Sequence, residues 1–144
     1  MHDVLVGYDG STSAHHAVDF ALDLAERQGA RLHIVAVAAT PDWGVIDVEK
    51  RDLIEAQEKH SKMLLDELKD KLRPTSASVH LEMITGHPAK ELVLYAERHN
   101  IDHLVVGHRG KTAFERWLLG SIARQVIAYA PCSVTIVRGR SEPG

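Results

Sequence analysis

Two patterns of apolar residues take turns along the chain. The first is a short unbroken apolar run, Val4-Leu5-Val6-Gly7-Tyr8, closed by the turn residues Asp9-Gly10-Ser11. Rich in valine and too short for a helix, it predicts a strand buried on both faces. The second pattern follows at once. Ala17, Ala21 and Leu24 recur at i, i+4 and i+7, with Ser13 ahead as a cap and Gly29 behind as a stop, which predicts a helix. The run from Leu32 to Ala38 then predicts a second buried strand, and Thr40-Pro41-Asp42-Trp43-Gly44 a loop.

From about Val48 to Leu72 the chain is charged and free of Pro and Gly, and Leu64, Leu65, Leu68 and Leu72 give it one apolar face. This predicts a long amphipathic helix that stops before Pro74. Val79 to Ile84 alternates apolar and polar residues, as a less buried strand does. Gly86-His87-Pro88 breaks it, and Pro88 opens a helix with Ala89, Leu92, Val93 and Ala96 on its inner face, ending around His99-Asn100. Leu104-Val105-Val106 predicts a fourth buried strand. Ser121 to Ala130 predicts a last helix with Ile122, Val126 and Ala130 inward, and Ser133 to Val137 a fifth strand. Strands and helices alternate throughout, so the fold class is α/β: a single doubly wound domain with a five-stranded parallel sheet and helices on both faces. The domain spans residues 1–140, with 141–144 a short tail. The last strand falls at a sheet edge.

Composition narrows the function classes. With 44% hydrophobic and 26% charged residues, the 144-residue chain is that of an ordinary globular domain. Its formal net charge of -3, without an arginine-rich tract, argues against nucleic acid as a partner. No apolar segment reaches the ~18 residues of a membrane span. The start, Met1-His2-Asp3, has no basic stretch or long apolar stretch of a secretory leader. A lone cysteine, Cys132, allows no internal disulfide. Together these lead to the expectation of a cytoplasmic protein.

Ligands of a doubly wound sheet bind beyond the carboxyl ends of its strands. Two such ends stand out: Asp9-Gly10 after the first strand, and Gly107-His108-Arg109-Gly110 after the fourth. After nine intervening residues beyond Gly110, Gly120-Ser121 opens a helix. Glycines let a ligand approach the backbone, and a helix N-terminus offers unpaired N–H groups and the positive end of a dipole. Strand, glycine loop and serine-led helix make an anion site by mechanism. The competing reading is that the glycines shape turns and Ser121 only caps its helix. Gly107 to Thr112 is not a Walker A loop, because two residues rather than four separate its glycines, so Lys111 has no Walker role. The G-x-G-x-x-G fingerprint is absent too.

The pattern Gly107-x2-Gly110-x9-Gly120-Ser121 resembles, spacing by spacing, the signature of ATP-binding universal stress proteins. Val4 to Ser11, Ala130-Pro131-Cys132 and Val134 to Arg138 also look like that family, so the likeness covers the whole domain. The resemblance implies ATP as ligand, with Mg2+ carried on its phosphates. It implies Asp9 beside adenine and ribose, Val37 lining the adenine pocket and Gly86 edging the site. Gly107 and Gly110 would lie close to the ribose and phosphates. Gly120, Ser121 and Ile122 would give main-chain N–H groups, with the Ser121 hydroxyl, to the phosphates. For Asp9 the alternative is a turn or capping role, for Val37 plain core. The resemblance further implies a stress-response regulatory module acting as a homodimer through its last strand, Ser133 to Arg138, with a downstream protein partner.

Other residues add less. Ten histidines show no i, i+4 pair around a glutamate, which argues against a protein-built metal site. His108 reads as an exposed loop histidine, Arg109 and Lys111 as loop cations near phosphate or in solvent, and Cys132 as a small buried hydrophobe. Phe114, Trp117, Leu118 and Leu119 read as an apolar packing cluster. No G-x-S-x-G turn is present, and no residue stands out as a catalytic base, so a binding module is favoured over an enzyme. The alternatives are a slow ATP hydrolase or nucleotide-transfer enzyme, and a nucleotide-free dimerisation module.

Overall fold

The computed structural model describes residues 1–40, 47–108 and 119–138. Strands β1 (Asp3–Gly7), β2 (Arg31–Ala39), β3 (Val79–Gly86), β4 (His103–Gly107) and β5 (Ser133–Val137) form one sheet in the order β3-β2-β1-β4-β5. Every pairing is parallel. Helices α1 (Thr12–Gln28) and α2 (Val48–Lys71) cover one face, α3 (Pro88–Arg98) and α4 (Ser121–Tyr129) the other. The architecture is Rossmann-like, as the alternation of strands and helices predicts, and β5 is a sheet edge in the observed strand order.

The interior follows from strand alternation. Val4, Val6, Leu32 and Ile34 face α1 and α2, while Leu5, Val35, Leu104 and Val106 face α3 and α4. The three central strands are therefore apolar apart from Asp3, Arg31, His33 and His103 near their amino ends, as strands covered on both faces tend to be. β3, at the other edge, stays only partly buried, in keeping with its alternating sequence.

Several boundaries and faces shift from those read in the sequence. α1 is capped by Ser11 rather than Ser13: the Ala14 N–H donates to the Ser11 hydroxyl at 3.1 Å. Both serines follow the same turn, and Ser11 is the one with extended backbone, as a cap requires. Gly29 ends the helix in the left-handed conformation, as expected. On α3, Tyr95 takes the buried position in place of Val93, and on α4 Ala123 and Val126 are buried while Ile122 and Ala130 are partly so.

At the amino ends of the strands, Asp3 is buried and ion-paired. Its carboxylate receives Arg31 at 2.9 and 3.0 Å and lies 2.9 Å from His33 Nε2. His33 Nδ1 lies 2.7 Å from the Tyr95 hydroxyl. Burial opposes ionisation of Asp3, but the Arg31 and His33 hydrogen bonds outweigh it and hold the carboxyl below its ordinary range. Burial pushes the Tyr95 hydroxyl up to about 12. This polar chain ties β1, β2 and α3 together at the end of the sheet opposite the carboxyl ends of the strands.

Candidate functional site

The cavity opens beyond the carboxyl ends of β1, β2 and β4, where β1 sends the chain toward β2 on one side and pairs with β4 on the other. That is the switch point of the sheet. It holds about 310 Å³, within the range of small-molecule sites.

Its β2 wall is set by where β1 stops. The Tyr8 N–H donates to the Val35 carbonyl at 2.9 Å, and the pairing of the two strands ends there. Backbone polar groups in a strand point alternately to its two neighbours. Val37, two residues beyond Val35, therefore aims its N–H and C=O past the end of β1, into the cavity that it lines. Its side chain packs against the α3 face of the sheet. One donor and one acceptor, side by side on a rigid strand, are thus offered to a ligand.

The opposite wall is the start of α4. Gly120 is its N-cap and makes no side-chain cap bond. The first ladder bond runs from the Arg124 N–H to the Gly120 carbonyl at 3.0 Å, so the N–H groups of Ser121, Ile122 and Ala123 lie ahead of the ladder. Ile122 lines the cavity, and Ser121 is exposed beside it. The helix dipole adds partial positive charge at this end.

Between these walls lie Asp9, Ser11 and Ser13. Asp9 holds the turn, its Oδ1 accepting the Ser11 N–H at 3.0 Å, and it also lines the cavity. Its turn role and its place at the site therefore coexist. Tyr8, buried, lies 3.0 Å from His15 Nε2 through its hydroxyl, and burial raises that hydroxyl's pKa, with Glu67 and Asp9 adding to the effect.

The remaining expected site residues separate. Gly107 lines the cavity, but what demands a glycine there is packing: a Cβ would stand 2.7 Å from the Ser13 carbonyl oxygen. Gly86 pairs with Ala39 at the end of β3, and the cavity is lined by Pro88, two residues on. Gly110, Arg109, Lys111, Phe114, Trp117 and Leu118 lie outside the described residues, as does the 141–144 tail. His108 is buried rather than exposed, because its N–H continues the sheet by donating to the Val137 carbonyl at 2.9 Å. Its Nε2 has no partner among the described residues, and burial, then Arg138, lowers its proton affinity.

The sequence reading also missed a wall. Gln57, His60 and Ser61 of α2 line the cavity. The available signal was Ser61 itself, a polar residue four positions ahead of Leu65 on the apolar stripe. Among the described residues no group of three or more His, Cys, Asp or Glu is placed to hold a metal, and no helix is long and apolar enough to cross a membrane.

The pattern of the universal stress protein family matches residues 1–138. A universal stress protein of Methanocaldococcus jannaschii is 33% identical over 137 residues, covering 94% of this chain and 81% of its own. Among solved structures, the universal stress protein UspA from Lactobacillus plantarum superimposes with a TM-score of 0.83 at 28% identity, covering 95% of this chain and 97% of that one. A universal stress protein in complex with cAMP matches with a TM-score of 0.60 at 27% identity, covering 94% and 95%. This chain belongs to the universal stress protein family.

Proposed function

We propose that this universal stress protein family member binds an adenine nucleotide, ATP foremost, and works as a regulatory binding module in a homodimer. The observation that carries the reading is the Val37 backbone aimed past the end of β1, with the α4 N-terminus across the cavity. A carbonyl and an N–H on one strand match the adenine edge: the carbonyl accepts from the 6-amino group and the N–H donates to N1. Guanine offers an acceptor and a donor in the reverse places. Phosphates would lie against the Ser121, Ile122 and Ala123 N–H groups, where a helix start holds anions. Gly120 keeps that start bare. Mg2+ would travel on the phosphate oxygens, which are its preferred ligands.

Among the described residues the donors at the phosphate end are the main-chain N–H groups of the α4 start and the Ser121 hydroxyl, which hold charge without acting as a general base. This favours binding over turnover. The relative solved with cAMP supports an adenine ligand in this fold. Homodimer formation is supported by β5, whose outer edge has no neighbouring strand among the described residues. The test is titration calorimetry with Mg·ATP on nucleotide-free protein. Saturable binding at one site per chain supports the reading, and heat no greater than dilution rejects it.

A further inference from the structure

Ser61 is 5% exposed, yet it lines the cavity, and its hydroxyl has no hydrogen-bond partner among the described residues. The residue is packed into the helix interface, but its hydroxyl opens onto the cavity, where water or a ligand group can satisfy it. Its helix is firmly placed. Leu65 and Leu68 are in the core, and Leu64 presses on the turn after β1, where a Cβ on Gly10 would meet it at 2.8 Å. The Thr85 hydroxyl donates to Glu58 at 2.5 Å, fixing the same helix to β3. This side of the cavity is the β2 side, across from the α4 start. Gln57 and His60, four and one residues before Ser61, line the same wall and are exposed.

An adenine whose N1 and 6-amino edge is taken by Val37 still carries two ring acceptors, N3 and N7. Burying either without a donor weakens binding. The geometry points to Ser61 as the base-reading residue of this cavity: its hydroxyl donates to a ring nitrogen that the Val37 backbone does not reach. The inference rests on the nucleotide reading above. It makes α2 a specificity element, so the purine is gripped from β2 and from the helix above it.

Two substitutions and two ligand analogues test it. Ser61→Ala removes the hydroxyl, and Ser61→Cys keeps the volume with a weak donor. Each variant is first checked for an unchanged ligand-free unfolding midpoint. ATP, 7-deaza-ATP and 3-deaza-ATP are then titrated into wild type and both variants. Loss of one neutral hydrogen bond is expected to weaken ATP by about fivefold to tenfold in both variants. One of the deaza analogues should bind wild type as weakly as ATP binds Ser61→Ala, and should lose nothing further in that variant. A structural role for Ser61 would instead weaken all three ligands in parallel. The inference is overturned if ATP binds both variants as it binds wild type, or if each analogue loses the same factor with and without the hydroxyl. Should wild type bind no adenine nucleotide, the nucleotide reading itself falls and this inference with it.

Discussion

A Cβ on Gly107 would stand 2.7 Å from the carbonyl oxygen of Ser13. The last residue of β4 and the first turn of α1 touch backbone to backbone, and this contact shapes the floor of the cavity. Gly107→Ala forces the two apart. It is expected to destabilise the fold by about 1–3 kcal/mol, the usual range for overpacking. Urea unfolding should show a lower midpoint with an unchanged slope. An unchanged midpoint would mean that the contact yields easily.

Gly120 has more room. Its Cβ would come 3.3 Å from the His108 carbonyl oxygen, and its backbone φ of -58° suits any residue. Gly120→Val should therefore fold while its side chain crowds the bare helix start. ATP affinity is expected to fall at least about tenfold, as loss of roughly one charge-assisted hydrogen bond does. Calorimetry and circular dichroism together separate lost binding from lost fold.

The Asp3 carboxyl has a lowered pKa in the folded chain, against an ordinary 3.8. Its contribution is full above that ordinary value and is lost as pH falls through the lower folded value. Asp3→Asn should cost about 1.5–3 kcal/mol at neutral pH, the range for hydrogen bonds to charged groups. The gap to wild type should narrow below about pH 4 as the native carboxylate protonates. Urea midpoints across pH 3–7 check both the size and the narrowing.

Histidines give a second acid limb at higher pH. Burial lowers the proton affinity of His103, which lies 2.5 Å from the Thr135 hydroxyl, and of His108. The unfolded chain binds more protons than the native one below the ordinary value of 6.5, so stability should decline as pH falls from there. A His103→Gln, His108→Gln double variant should flatten the decline between pH 6.5 and 5. An equally steep decline in the variant would place its origin elsewhere.

The outer edge of β5 gives the test of assembly. The His108 N–H bonds the Val137 carbonyl, so Val137 faces β4 and Ile136 turns its N–H outward. Ile136→Pro removes an outward donor without breaking the β4 ladder, a position where proline is tolerated. Light scattering should give twice the chain mass for wild type and the chain mass for the variant.

How far the sequence reached depends on what each signal records. The strand and helix order was legible because β1, β2 and β4 are buried on both faces and the helices on one, and these leave different periodicities. The Ser11 cap was not, because Ser11 and Ser13 both follow a turn and only the backbone conformation separates them. The burial of His108 depends on a backbone bond to Val137, a partner 29 positions away that no local pattern encodes. Val37 was named by resemblance, and its physical role emerged only from where β1 stops pairing. Ser61 was hidden by its own stripe: a lone serine among leucines reads as a tolerated polar residue until the cavity beside it is seen.

The central claim is adenine recognition by the exposed Val37 backbone edge. The most direct measurement is the thermal unfolding midpoint of nucleotide-free protein with Mg·ATP, with Mg·GTP as control. A ligand at 100 times its dissociation constant adds about 2.7 kcal/mol, which for a domain of this size raises the midpoint by about 5–10 °C. A rise of that order with ATP and little or none with GTP is the result expected. No rise with ATP, or equal rises with both nucleotides, would contradict recognition of the base at Val37.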